Sequence, residues 1–142
     1  MHLWSDFTAA ASDVAGAATR LLARHNVAFL ATTSGSGRPR LHPFVPRVVE
    51  GRMVAFIVDS SPKYRDLLKR RQYAIHLMPG DEDEQLFFSG EAEYCDDELG
   101  FRARAGKAMG FFTELAHGEK LFEFRLDRAL WTTWLDFGTP DH

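Results

Sequence analysis

The chain has 142 residues, 45% of them hydrophobic and 13% aromatic, so it can form one domain with a sizeable core and is too apolar for a disordered polymer. Seventeen basic and twenty acidic side chains give a net charge of −3, which excludes the strongly basic proteins that bind nucleic acid through a global field. The single cysteine excludes an internal disulfide, and no cluster of cysteine and histidine predicts a metal site.

The amino-terminal segment predicts one helix over residues 6–25. Apolar residues from Phe7 to Leu22 recur at steps of three and four, which is the period of one helical face. The stretch MHLWSDF has no basic segment followed by a long apolar one, so we do not expect a signal peptide. The longest apolar run, Met53–Val58, is far too short to cross a bilayer. A soluble cytoplasmic protein with no membrane partner is therefore expected.

The rest of the chain, residues 27–135, predicts mainly strands. Six or seven antiparallel strands with helices at the ends predict a small closed barrel of the mixed α+β class. Gly90 is expected to mark a bulge. Helical segments are predicted over residues 62–71 and, interrupted by glycines, over residues 96–117. The predicted strands are VAFLATT, RPRLHPFVPRVV, Met53–Val58, YAIHLM, QLFFSGEAEY, 121–126 and 129–135.

The second of these strands is the most informative for function. Because side chains two apart share a face of a strand, Arg38, Arg40 and His42 are predicted to project together. Three prolines in the same stretch remove backbone donors, so they predict an edge strand or a bulge beside an open groove.

The next strand ends at Ser60-Ser61-Pro62-Lys63, which predicts a hydroxyl cap, a first-turn proline and a lysine at the start of a helix. Arginine side chains and the backbone N–H groups of a helix start are the donors that a phosphate monoester prefers. These residues predict an anion site. The alternative is an exposed alternating strand followed by an ordinary serine cap.

In their order and spacing, these stretches resemble the FMN-binding split β-barrel family, which is related to pyridoxamine 5′-phosphate oxidase. The resemblance implies a Greek-key split barrel of antiparallel strands, with residues 1–142 forming a single flavin-binding domain. The matching segments are VAFLATT, GSGRPRLHPFVP, GRMVAFIVDSSPK and KYRDLLKRRQYAIHL, with weaker similarity through LFFSGEAEY to LFEFRLDRALWTTW.

The resemblance also implies a function. Such proteins are flavin-dependent oxidoreductases of small molecules, and they are homodimers with FMN at the subunit interface. The implied contacts to the FMN phosphate are Arg40 or Arg38, Ser60 or Ser61, and Lys63. A homodimer is also favoured by the alanine-rich first helix and by the aromatic surplus in so small a domain.

Two further residues are candidates for the site. His42 either lines the flavin or substrate pocket or is a half-buried histidine hydrogen-bonded to backbone. Trp131 and Trp134 are three apart in a predicted strand and so point to opposite faces. One is expected in the core or the dimer interface and the other near the flavin ring or a substrate, which makes Trp131 a candidate for cofactor contact.

Two alternatives to an FMN oxidoreductase remain. The wider superfamily also binds a deazaflavin coenzyme, whose phosphate and acidic tail the basic groove would hold. A non-catalytic module that carries or senses flavin or haem is the second alternative. The basic run from Lys63 to Arg71 does not predict nucleic-acid binding, because Asp66 interrupts it and no aromatic stacking platform follows.

Overall fold

The computed structural model describes residues 2–77, 84–110, 118–136 and 139–141. The helices are α1 (Trp4–Ala10), α2 (Ser12–Arg24), α3 (Pro62–Arg70) and α4 (Leu99–Ala108). The strands are β1 (Ala28–Thr33), β2 (Pro39–Phe44), β3 (Arg47–Val49), β4 (Arg52–Val58), β5 (Gln72–Leu77), β6 (Glu84–Tyr94), β7 (Glu119–Asp136) and β8 (Thr139–Asp141). Of the helical region predicted over residues 96–117, the last seven residues lie outside the described part. No described helix is both long and apolar enough to span a membrane.

The described strands pair antiparallel throughout, in the order β2-β1-β5-β6-β7-β4-β3, with β8 paired to β7. This sheet curls into a half-barrel, which confirms the predicted α+β split barrel. No described ladder joins the two edge strands β2 and β3, so the fully closed barrel expected from the strand count is wrong. The edge position predicted for the proline-bearing strand is confirmed, because β2 ends the sheet.

Two predicted elements are divided in the structure. The helix expected over residues 6–25 is α1 and α2, because Ala11 leaves the helical conformation (φ −141°, ψ 68°). This break lets α1 turn Trp4 into the core, where its ring packs edge-on against Phe88 at 5.9 Å. The strand RPRLHPFVPRVV is β2 and β3, which are separated at Val45 and Pro46, since proline has no N–H for a ladder.

One predicted turn is instead a bulge. The sequence predicts two strands, 121–126 and 129–135, which Asp127 and Arg128 would join, but β7 is continuous. In the ladder with β6, Ser89 pairs with Arg128 and Gly90 with Leu126, so Asp127 is the extra residue. A Cβ at Gly90 would lie 1.9 Å from the Arg125 carbonyl oxygen, which explains the glycine and confirms the bulge predicted there.

The main core lies inside the curl of the sheet. The side chains of Phe88, Phe122 and Phe124 are fully buried there, and helices α1, α2 and α3 pack over them. On the other side of the sheet, α4 brings Phe101 onto Leu121 and the neighbouring part of β4. The described residues form no packed cluster over the outer surface of β1, β2, β5 and β6. We call this surface the outer apolar face; it contains Phe29, Ala31, Leu41, Pro43, Ala74 and Phe87, with the polar His76 and Ser89 among them.

Candidate anion-binding site

Strand β2 presents Arg40 and His42 to the inner side of the sheet. In the ladder with β1, Arg40 lies opposite Thr32 and His42 opposite Leu30, both of which are buried. Leu41, between them, points outward and is 68% exposed. The alternation predicted for Arg40 and His42 is therefore confirmed.

Arg38 lies just before β2 begins, opposite the buried Ser34. Its side chain is exposed and is not among the described ion pairs. Its backbone N–H donates to the Ser34 hydroxyl at 3.1 Å, and its carbonyl accepts from the Ser34 N–H at 2.8 Å. Of the two arginines that the resemblance implied for phosphate, the structure brings only Arg40 into the cluster described below.

The centre of the cluster is Asp66, on α3, whose side chain is 3% exposed. Its Oδ2 accepts a hydrogen bond from the Thr32 hydroxyl at 2.8 Å and lies 3.0 Å from Arg40 Nε. The contact with Arg40 lacks hydrogen-bond geometry and is an ion pair only. The other oxygen, Oδ1, lies 3.4 Å from a terminal nitrogen of Arg70. One buried carboxylate thus links β1, β2 and the last turn of α3.

His42 lies beside this carboxylate. Its Nε2 is 3.4 Å from the Thr32 hydroxyl, which has one hydrogen and donates it to Asp66. A hydrogen bond between His42 and Thr32 therefore requires an Nε2–H on the imidazole, which leaves Nδ1 as a free acceptor. Burial lowers the pKa of His42, and the charge of Lys63 is the second cause. Asp66 opposes the shift and Arg40 adds to it, so the ring is neutral at pH 7.

The start of α3 completes the cluster. Ser61 is the N-cap residue, but the predicted hydroxyl cap is wrong, because its side chain makes no cap hydrogen bond. Its Oγ is buried and has no hydrogen-bond partner among the described residues. Lys63, two residues on, is partly buried, and this desolvation lowers its pKa. Ser60 is exposed in the preceding turn.

Three cations, Arg40, Lys63 and Arg70, stand against the single carboxylate of Asp66, so the cluster carries two positive charges in excess when His42 is neutral. A buried hydroxyl without a partner is costly unless a ligand satisfies it. The start of a helix adds backbone N–H groups and a favourable dipole for a negative charge. The arrangement is suited to bind an anion with several acceptor oxygens, such as a phosphate monoester.

Trp131 lies in a different part of the sheet. Its indole N–H donates to Glu84 Oε1 at 2.9 Å, and Glu84 also forms two hydrogen bonds with Arg20 on α2. The hydrogen bond from Arg20 lowers the pKa of Glu84. Four strand spacings separate β2 from β7, about 19 Å along the sheet. Within one chain the structure does not bring Trp131 to Arg40, and the Trp134 side chain lies outside the described part.

Sequence reasoning missed Thr32, Asp66 and Arg70. A signal for two of them exists, since Lys63, Asp66 and Arg70 are spaced by three and four and so share one face of α3. Cys95 is buried, and this burial raises the pKa of its thiol to about 12, which disfavours the reactive thiolate. No group of metal-binding side chains occurs among the described residues.

Neither family models nor curated proteins give a match to the sequence. Solved structures do match. The heme binding protein of Mycobacterium smegmatis is 24% identical with a TM-score of 0.65, and the match covers 88% of this chain and 56% of that one. The chain thus spans little more than half of that protein.

Two further structures match over most of their own length. HutZ, the heme storage protein of Vibrio cholerae, is 17% identical with a TM-score of 0.67, covering 82% of this chain and 93% of that one. A putative pyridoxamine 5′-phosphate oxidase of Listeria innocua is 13% identical with a TM-score of 0.66, covering 82% and 95%. At these identities the likeness shows the fold alone. The chain therefore has the split-barrel fold of the pyridoxamine 5′-phosphate oxidase-like and haem-binding split-barrel proteins.

Proposed function

We propose that this chain is an FMN-binding flavoprotein that acts as an oxidoreductase on a small molecule. The observation that carries the proposal is the buried, unpartnered Ser61 hydroxyl at the start of α3, in a cluster with excess positive charge. The split-barrel fold supports it, since that fold includes a protein described as a putative pyridoxamine 5′-phosphate oxidase.

The donors suit a terminal phosphate. Arg40 faces Asp66 through Nε, so its two terminal nitrogens are left to bind phosphate oxygens as a fork. Lys63 adds a point charge, and Ser61 adds a hydroxyl donor beside the first N–H groups of α3. FMN supplies the redox chemistry when bound, whereas the chain binds the phosphate, orients the ring and excludes water.

His42 belongs to the same proposal in a different role. As a neutral imidazole with a free Nδ1, it accepts a hydrogen bond and does not contribute a charge. We assign it to a donor group of the flavin ring or of the substrate, next to the phosphate end.

We propose further that two copies of the chain associate through the outer apolar face. Leu41 is 68% exposed on that face, and the other apolar side chains of β1, β2 and β5 adjoin it. An apolar sheet surface of this kind in a small domain favours burial against a partner. In the resembling family the cofactor sits between subunits, so a partner would also complete the ring end of the site. Trp131, remote from Arg40 within one chain, packs against the inner core and not on this face, and its contact with the cofactor stays a prediction.

The experiment is the visible absorption spectrum of the purified protein, followed by FMN titration of arginine variants. Arg40→Ala should lose FMN, and Arg40→Lys should bind it poorly, because lysine cannot reproduce the fork. Arg40→Ala should stay folded, because Arg70 still pairs with Asp66, and circular dichroism of the cofactor-free protein checks this. Arg104→Ala, an exposed arginine on α4, is the matched control and should bind as wild type. Wild-type affinity in Arg40→Ala would contradict the proposal.

A haem-binding module is the second candidate function. It is favoured by the neutral imidazole of His42, which can act as a metal ligand, and by the two haem proteins that share the fold. The same spectrum separates the two functions, since haem and flavin absorb differently. Titration with a deazaflavin coenzyme tests the remaining cofactor that the resemblance implied.

A further inference from the structure

We infer that Asp66 is a positioning residue that aims the guanidinium of Arg40 at the phosphate of the ligand. The inference rests on the proposed function and adds to it a residue that does not itself touch the ligand. Like charge would repel a carboxylate from a phosphate, so Asp66 is an unexpected residue at the centre of a phosphate site. Its contacts explain its presence.

Two groups other than Arg40 hold the carboxylate. Thr32 donates to Oδ2 at 2.8 Å, and Arg70 lies 3.4 Å from Oδ1. Arg70 is itself fixed, because its Nε donates to the Thr33 carbonyl at 2.7 Å. Asp66 is therefore a rigid point between β1 and α3, with 3% of its side chain exposed.

Arg40 has no comparable constraint of its own. Its side chain is 39% exposed and lies on an edge strand, and its described ion pair is the one with Asp66, 3.0 Å from Nε. A free arginine side chain loses rotamer entropy when a ligand immobilises it. The ion pair holds Nε beside Asp66 beforehand, and no hydrogen bond of the terminal nitrogens of Arg40 occurs among the described residues.

Asp66 thus has two opposite effects on phosphate affinity: its charge repels the phosphate, and its ion pair positions Arg40. Asp66→Asn shows which effect is larger. The amide keeps the shape and an acceptor for Thr32, but it removes the charge that attracts Arg40. If the carboxylate acted only as a negative charge near the ligand, its removal would tighten FMN binding. If it positions Arg40, its removal weakens FMN binding despite the gain in net positive charge.

The test is a titration of flavin fluorescence with FMN and with riboflavin, which lacks the phosphate. Asp66→Asn should weaken FMN binding about five- to tenfold and leave riboflavin binding unchanged. In an Arg40→Ala background the same substitution should cause no further loss. Asp97→Asn, an exposed aspartate before α4, is the matched control for the change in net charge and should bind both flavins as wild type.

A second readout uses the cofactor-free protein. The Arg40 Nε resonance, identified by its absence in Arg40→Lys, should report an ordered side chain in the wild type and a more mobile one in Asp66→Asn by nitrogen-15 relaxation, because the ion pair that holds Nε is lost. Suppose that the wild type prefers FMN to riboflavin but Asp66→Asn binds FMN as tightly as the wild type or more tightly. That result overturns the positioning role of Asp66 and leaves the proposed function standing. A wild type that binds FMN and riboflavin equally overturns the proposed function, and the phosphate role of Asp66 with it. Parallel losses of both flavins and of thermal stability in Asp66→Asn assign the residue to folding instead.

Discussion

At the scale of single residues, Lys63 gives a direct test of the phosphate site. Lys63→Ala should weaken FMN binding by about 1.5–3 kcal/mol, the contribution of one charge-assisted contact, and should hardly change riboflavin binding. Because burial already disfavours its charge, removing this cation should not destabilise the cofactor-free protein. Parallel titrations of the two flavins check the first expectation, and urea unfolding checks the second. Equal losses of FMN and riboflavin would mean that Lys63 acts through folding.

His42 should make stability depend on pH. Its folded pKa lies below the unfolded value of 6.5, so the unfolded chain takes up the proton first as pH falls. The contribution of His42 to the free energy of unfolding should be undiminished above pH 6.5 and should decrease as pH falls from that value to the folded pKa. His42→Gln should flatten the profile in this window. Urea unfolding of both proteins between about pH 8 and about pH 5 measures the difference, and parallel profiles would contradict it.

Local rules predicted some residues of the site and could not predict others. Arg40 and His42 were predicted to share a face because alternation along a strand depends only on spacing. Asp66 was seen as an interruption of a basic run, since its role depends on β1 and β2 meeting α3. Ser61 was placed correctly at the helix start, but no spacing rule shows whether a hydroxyl bonds the backbone or stays unpartnered.

At the scale of elements, the bulge in β7 accounts for Gly90. Gly90→Ala should destabilise the fold by about 3 kcal/mol, because its Cβ would meet the Arg125 carbonyl at 1.9 Å and something must shift. Gly16→Ala is the matched control on α2, where nothing lies within 4 Å of the new Cβ. That variant should gain about 0.5–1 kcal/mol from helix propensity. Urea unfolding of both variants measures the two changes in stability. A Gly90→Ala variant as stable as the wild type would mean that the bulge relaxes to accept the Cβ.

The elements that were mispredicted share a cause. Asp127 and Arg128 are polar and adjacent, which is typical of a turn. However, β6 pairs with β7 on both sides of Asp127, so β7 stays one strand. The amino-terminal segment has one unbroken apolar period, but its helix breaks at Ala11, and both α1 and α2 contribute to the core. In both cases the neighbouring element decides the local conformation, and single-segment patterns contain no information about neighbours.

At the scale of the whole molecule, the outer apolar face predicts a dimer. Leu41→Glu should shift the protein toward monomer, because a charge on that face would be buried in the interface. Leu99→Glu is the matched control, since Leu99 is 76% exposed at the start of α4, away from this face. Sedimentation at micromolar concentration measures both variants. A wild type that sediments as a monomer would contradict the expectation.

The extra residue at Asp127 has a consequence for how the chain can change in length. Leu126 before it and Ala129 after it both face the inner core, although an unbroken strand would send them to opposite sides. Deleting Asp127 would leave an unbroken strand in which Leu126 and Ala129 are two apart, so both would still face the core and Trp131 would stay beside Glu84. The bulge is therefore the place where β7 accommodates one extra residue without exchanging its inner and outer faces. A single deletion elsewhere in β7, where no extra residue is present, would turn the rest of the strand over.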